Sequence, residues 1–263
     1  MRFAINLPNF GDLADPRVVV ELAVAAESCG WDGFFIWDHI VVADAMPVGD
    51  PWVQLAAVAQ ATDRIVIGPM VTPVPRRRPW VLARQAVSLD HLSGGRLILG
   101  VGLGFPPVEE FGTFGEPTDP HHRASLLDEG LEVIVGMWSG EPFEYRGNHF
   151  TVVETSFAPS PIQRPRIPIW VAGMWPNRAP FRRAGRFDGV FPIAADGAAL
   201  DPAVIAEIVG LTGRDDLDVT VGGGPDADLE ALEAAGVTWY QVGPYPGAGL
   251  EDVRGMVEAG PPA

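Results

Sequence analysis

Two hydrophobic periodicities take turns along the chain. Residues 3–7 form a short apolar run that predicts a strand, ending in Pro8-Asn9-Phe10-Gly11. Asp15-Pro16 then supplies a helix cap with proline at the first helical position. Val18, Leu22, Ala26 and Cys29 follow at helical spacing, and Gly30 ends that helix. Residues 33–37 predict a second strand, closed by Asp38-His39. Asp50-Pro51 repeats the cap, with a helix over 52–61. A third strand covers 65–67 and carries on to Met70-Val71. After a loop from Thr72 to Pro79, a helix covers 80–92. Gly94-Gly95 provides the left-handed backbone that a helix end needs. Leu97-Ile98-Leu99 is the fourth strand, opening into Gly100-Val101-Gly102-Leu103-Gly104, where backbone comes close to whatever lies beside it.

The second half continues the pattern after a proline- and glycine-rich connection over 105–120. A helix over 121–138 sets Leu127, Leu131, Ile134 and Trp138 on one face. Residues 143–157 predict a β-hairpin turning at Arg146-Gly147-Asn148, an insertion that interrupts the alternation. Strands over 169–172, 189–192, 218–221 and 238–242 alternate with helices over 176–184, 202–211, 227–235 and 250–259. Eight strands in alternation with eight helices predict an α/β (β/α)8 TIM barrel as one domain over 1–263, with the hairpin between the fourth helix and the fifth strand. A doubly wound open sheet is the alternative; eight units is the number that closes.

Composition narrows the function. A net charge of −16 argues against nucleic acid or an anionic membrane as partner and leaves a small-molecule substrate. No run approaches the ~20 apolar residues of a membrane span, and residues 1–6 lack a signal-peptide layout. Cys29 is the single cysteine, read as a buried structural thiol, which suits a reducing, cytoplasmic setting. All 18 basic residues are arginine, a sign of a GC-rich coding genome.

In such a barrel the strands' carboxyl ends build the site. They carry Asp38 and His39 on strand two, Pro69, Met70 and Thr72 on strand three, Gly102 and Gly104 on strand four, and Gly173, Met174 and Trp175 on strand five. Asp38-His39 is the one acid–histidine pair at a strand end. Its histidine is suited to shuttling a proton, or equally to pinning a loop. Gly173-Met174-Trp175-Pro176-Asn177 precedes a helix whose free N–H groups suit phosphate, with Arg178, Arg182 and Arg183 to add charge; an ordinary turn with a solvated basic face reads equally well. The run Gly100–Gly104 lacks the helix that a dinucleotide fingerprint requires. There is no nucleophile elbow, and the five histidines show no metal-ligand spacing. Glu109-Glu110 reads as a solvated loop. Arg76-Arg77-Arg78 reads either as a contact for an anionic cofactor tail or as balance for an acidic surface.

Several stretches, in order, resemble the luciferase-like monooxygenase superfamily of flavin- and deazaflavin-dependent barrels. They are Trp37-Asp38-His39, Arg78-Pro79 through Leu82-Ala83-Arg84 to Leu89-Asp90, Leu92-Ser93-Gly94-Gly95-Arg96, Gly100–Gly104, Pro168–Gly173 and Asp188-Gly189. The resemblance implies a planar ring in the barrel mouth, its back on a bulge at Pro69 and Met70 with a cis bond between them. Thr72, Gly102, Leu103 and Gly104 are placed around it, the glycines as clearance for the ring. Asp38 and His39 contact ring or substrate, and Gly173, Met174 and Trp175 hold phosphate. His39 is the expected proton donor or carbonyl polariser, with Asp38 orienting the ring edge. Relatives that oxidise sugar phosphates place a glutamate where Phe105 stands, which points to a more apolar substrate. The expected activity is hydride transfer with coenzyme F420 and no metal. An FMN-dependent monooxygenase, a non-catalytic flavin-binding protein and a cofactor-free lyase or isomerase are the alternatives. The resemblance also implies a homodimer.

Overall fold

The computed structural model describes residues 1–42, 46–224, 226–245 and 247–262. Its strands are β1 (Arg2–Leu7), β2 (Gly33–Ile36), β3 (Val66–Pro69), β4 (Thr72–Pro73), β5 (Leu99–Gly102), β6 (Phe143–Arg146), β7 (Thr151–Thr155), β8 (Ile169–Trp175), β9 (Gly189–Ala194), β10 (Asp218–Gly223) and β11 (Trp239–Val242). The helices are α1 (Pro16–Ser28), α2 (Pro51–Ala61), α3 (Pro79–Leu92), α4 (Pro107–Glu110), α5 (Pro120–Trp138), α6 (Ala179–Ala184), α7 (Pro202–Thr212), α8 (Leu229–Ala234) and α9 (Leu250–Glu258).

The large sheet is parallel, in the order β3-β2-β1-β11-β10-β9-β8-β5-β4. Its two end segments, β3 and β4, are halves of one stave, parted at a cis peptide between Met70 and Val71. An isolated bridge between Ile67 and Leu97, and the pairing of Thr72 with Val101, bring that stave against β5 and complete the ring. The fold is therefore the anticipated TIM-like barrel, with β6 and β7 forming an antiparallel hairpin after α5. No described helix is long and apolar enough to cross a membrane.

Alternation along each strand separates two cores. Ile5, Leu7, Phe34, Ile36, Leu99, Val101, Ile169 and Val171 belong to the outer one, between strands and helices. Ala4, Phe35, Met70, Ile98, Trp170, Phe191 and Trp239 fill the barrel's interior. The Trp170 and Trp239 rings lie 5.4 Å apart, centroid to centroid. Gly189 makes room for Trp170 and Gly33 for Trp239, since a Cβ there would stand 2.3 Å from Trp170 Cδ1 and 2.9 Å from Trp239 Cζ3 respectively.

Aspartate caps with proline behind them start α1, α2, α5 and α7, through Asp15, Asp50, Asp119 and Asp201. The stretch Asp90–Arg96 is a structural clasp. Gly94 and Gly95 take φ of 67° and 87° to end α3. Arg96 then donates five hydrogen bonds, to Ser93 O, Thr62 Oγ1, Ile65 O, Ala59 O and Thr62 O, tying the end of α2 to the start of strand four. Asp90, fully buried, accepts from Ile162 N, Gln163 N and Gln163 Nε2. Strand four differs from its expected limits. It runs through the glycines to Gly102, because each absent side chain lets a neighbouring stave approach.

Candidate functional site at the carboxyl mouth

Three loops converge where β2 ends. Asn9, fully buried after β1, accepts from His39 N at 3.1 Å and donates to His39 O at 2.8 Å and Gly49 O at 2.7 Å. This fixes the backbone that carries Asp38 and His39.

Asp38 is only 6% exposed and accepts from three side chains. Thr72 Oγ1 and Arg77 Nη2 donate to its Oδ2 at 2.9 and 2.6 Å, and Arg76 Nη2 donates to its Oδ1 at 2.8 Å and its carbonyl at 2.9 Å. Arg76 Nη1 donates to Glu110 Oε2, and Glu110 Oε1 lies 2.9 Å from His39 Nδ1. Ile40 N adds a longer bond to Glu110, at 3.3 Å. Two carboxylates and two guanidiniums thus form one buried network with His39 at its outer end. The His39 ring is half-buried, edge-on to Phe10 and tilted against Trp37, with Nε2 free of hydrogen bonds among the described residues.

This network alters several expectations. Asp38 is first of all a structural partner of two arginines and Thr72, with one acceptor position left on Oδ1. Thr72, fully buried, holds Asp38. Arg76 and Arg77 are spent on these carboxylates, and Arg77 also lies over the Trp52 ring. Glu110 is 1% exposed, whereas its neighbour Glu109 is solvated as anticipated.

The strand-three bulge sits one residue later than expected. The cis bond joins Met70 to Val71, and Pro69 and Met70 are buried while Val71 is half-buried. The strand-four glycines clear space for protein: a Cβ on Gly102 would stand 2.9 Å from Val71 Cγ2, and one on Gly104, at φ 83°, 2.8 Å from Phe111. Leu103 is half-buried, and Arg123 Nη1 holds the carbonyls of Leu103 and Gly104 at 2.9 and 2.8 Å. Burial pushes the Arg123 guanidinium below its ordinary pKa, against the pull of Asp119.

Gly173, Met174 and Trp175 lie within β8, because that strand pairs with β9 as far as Trp175–Ala194. The following helix, α6, begins only at Ala179 and has six residues. Gly173 faces that helix, with a would-be Cβ 2.3 Å from Pro180, and Trp175 packs 6.1 Å from Phe181. Arg178 pairs with Glu207, and Arg183 pairs with Asp128. Arg182, the third arginine named for this helix, is exposed and makes no ion pair among the described residues. Of the three residues, Met174 has the place in the strand's alternation that faces the barrel interior.

Below the mouth a polar chain crosses the interior: Asn6 Nδ2 donates to Gln241 Oε1 at 2.6 Å, and Gln241 Nε2 donates to Thr220 Oγ1 at 2.7 Å. Asn6 Oδ1 is buried without a donor. At the rim Phe105 is 61% exposed, close to exposed Val108 on α4.

Asn9, Asn6 and Arg123 are candidate site residues that sequence reasoning passed over, and Glu110, expected to be solvated, is buried. The signal for Glu110 was faint: a four-residue turn after Pro106-Pro107 puts one of two adjacent glutamates inward, and only the fold shows which.

Comparison with known proteins agrees with this architecture. The family model described as luciferase-like monooxygenase matches residues 1–223. An uncharacterized protein of Mycobacterium tuberculosis is 31% identical over 255 residues, 88% of this chain and 86% of the relative. An F420-dependent glucose-6-phosphate dehydrogenase of Amycolatopsis mediterranei is 32% identical over 190 residues, 70% of this chain and 56% of the relative. The match to a Sinorhizobium fredii protein also spans about half of that relative, 47%. Among solved structures, an F420-dependent secondary alcohol dehydrogenase bound to an F420–acetone adduct aligns with a TM-score of 0.78 at 18% identity, over 98% of both chains. A monooxygenase of Streptomyces bottropensis aligns with a TM-score of 0.78 at 20% identity, over 98% of this chain and 96% of that one.

Proposed function

The chain belongs to the luciferase-like monooxygenase family, and we propose that it transfers hydride between coenzyme F420 and a small, uncharged, largely apolar substrate at the carboxyl mouth of its barrel. One observation carries the choice of substrate. The cations nearest His39, Arg76 and Arg77, are neutralised by Asp38 and Glu110, and the open rim beside them presents Phe105. A phosphorylated substrate would find neither of these two charges free.

The residues present fit a flat tricyclic ring. Asn6 Oδ1 is an orphaned acceptor at the floor, and both flavins and deazaflavins carry an imide N–H that such an acceptor takes. Val71 and Met174, each half-buried, offer apolar contact to the ring's faces. The ring, when bound, supplies the hydride chemistry, and the protein supplies orientation and electrostatics. His39 is the proton-handling group, held in place through Asn9 and Glu110. Phe105 shields the substrate from water.

Sequence kinship to F420-dependent dehydrogenases favours the deazaflavin. Likeness of fold reaches the FMN side at a lower score: the oxygenating constituent of 3,6-diketocamphane monooxygenase from Pseudomonas putida, solved with FMN, aligns with a TM-score of 0.65 at 20% identity, over 85% of this chain and 67% of that one. An FMN-dependent monooxygenase is therefore the second reading. The test is reduction of F420 by a panel of neutral alcohols and by glucose 6-phosphate, with the wild-type protein and His39→Ala. Turnover with a neutral alcohol that His39→Ala abolishes is expected. Turnover with the phosphate alone, or full activity in His39→Ala, would overturn the proposal.

A further inference from the structure

We infer that Glu110 is a positioning residue that fixes which nitrogen of His39 carries the proton, leaving Nε2 bare toward the mouth. The inference rests on the reading of His39 as the proton-handling group and adds what sets its state. Three nitrogens converge on the Glu110 carboxyl: His39 Nδ1 at 2.9 Å, Arg76 Nη1, and Ile40 N. A carboxylate paired with a guanidinium accepts hydrogen bonds and donates none. The nitrogen facing it, Nδ1, is therefore the protonated one, and in the neutral ring Nε2 is then an acceptor.

The surroundings favour the same arrangement. Arg76 grips Glu110 with Nη1 and Asp38 with Nη2, so the glutamate cannot rotate away without breaking a buried ion pair. The charges of Asp38, Glu110, Arg76 and Arg77 cancel without any contribution from His39. Asn9 holds the histidine's backbone on both sides, and Phe10 and Trp37 confine the ring. A bare Nε2 receives a proton, so the resting protein is matched to a substrate that presents an O–H at this point. The reduced, hydroxyl-bearing form of the substrate is the one this state accepts.

An isosteric change separates this role from simple packing. In Glu110→Gln, Arg76 claims the amide oxygen, which turns the amide NH2 toward His39. Nδ1 then has to accept, and the proton moves to Nε2. The readout is a long-range 1H–15N correlation spectrum of the histidine-labelled apoprotein at about pH 8.5, two units above the ordinary histidine value. The His39 signals are assigned by their loss in His39→Asn. The wild type is expected to show a protonated Nδ1 and a bare Nε2, and folded Glu110→Gln the reverse. A proton on Nε2 in the wild type, or the same tautomer in both proteins, would overturn the inference. The wild-type spectrum decides alone if the variant does not fold. The spectrum is indifferent to cofactor and substrate, so failure of the F420 assay leaves it standing and its own failure leaves that assay untouched.

Discussion

Replacing Arg76 with methionine tests the network where it is most concentrated. The Arg76 side chain is 8% exposed and bridges two carboxylates that are 2% and 1% exposed. Methionine fills most of the volume but leaves Glu110 with only His39 and Ile40 N, and leaves Asp38 with Arg77 and Thr72. Removing one member of a buried ion pair costs about 3–5 kcal/mol, because the remaining charge stays out of water. At about 2 °C per kcal/mol for a chain of this size, the melting temperature should fall by about 6–10 °C. Arg77→Met is the internal control. Arg77 is more exposed and gives Asp38 one bond, so about 1–2 kcal/mol and about 2–4 °C are expected. Adding Glu110→Met to Arg76→Met should recover part of the loss, since an apolar pair packs without stranded charge. Differential scanning calorimetry at pH 7 reads all three. Equal shifts for Arg76→Met and Arg77→Met, or a double variant whose loss is the sum of its parts, would refute the reasoning.

Other consequences concern the frame, the hairpin and turnover. Arg96→Met removes the donor for three backbone carbonyls near the end of α2 and should cost about 3 kcal/mol in a denaturant titration, with no change at the mouth. Glu129 closes the hairpin turn. Burial pushes its carboxyl up, but backbone N–H groups of His149, Asn148 and Phe150 outweigh that and hold it below the ordinary glutamate value. Its stabilising contribution is then complete above about pH 4.3, the unfolded value, and is lost as pH falls through the lower folded value. Glu129→Gln should flatten the acid limb of a stability–pH profile there. Glu110→Gln should lower kcat about 10–100-fold with KM little changed, the signature of a group that acts through another.

Much of the frame was legible because it is periodic. The alternation of strand and helix, the Asp15-Pro16 and Asp50-Pro51 starts and the hairpin after α5 follow from local chemistry that nothing distant overrides. Misreadings arose where a residue's role depends on what crosses above it. Gly100–Gly104 looked like an approach to a ligand, yet Gly102 and Gly104 admit Val71 and Phe111. Gly173–Trp175 looked like a phosphate turn, but pairing with β9 keeps them in strand. Glu110 was the largest misreading, since adjacent glutamates are identical in sequence terms until a short helix turns one inward. Arg76 and Arg77 were visible as a charge cluster, but their partners are set by tertiary contact.

The central claim, an F420 site at this mouth, is tested most directly by titrating the purified protein with F420 and with FMN under identical conditions and following each cofactor's fluorescence. The account predicts saturable one-to-one quenching of F420, weaker binding of FMN, and loss of the F420 response when Asn6 is replaced by leucine. Tight FMN binding with no response to F420 would contradict it.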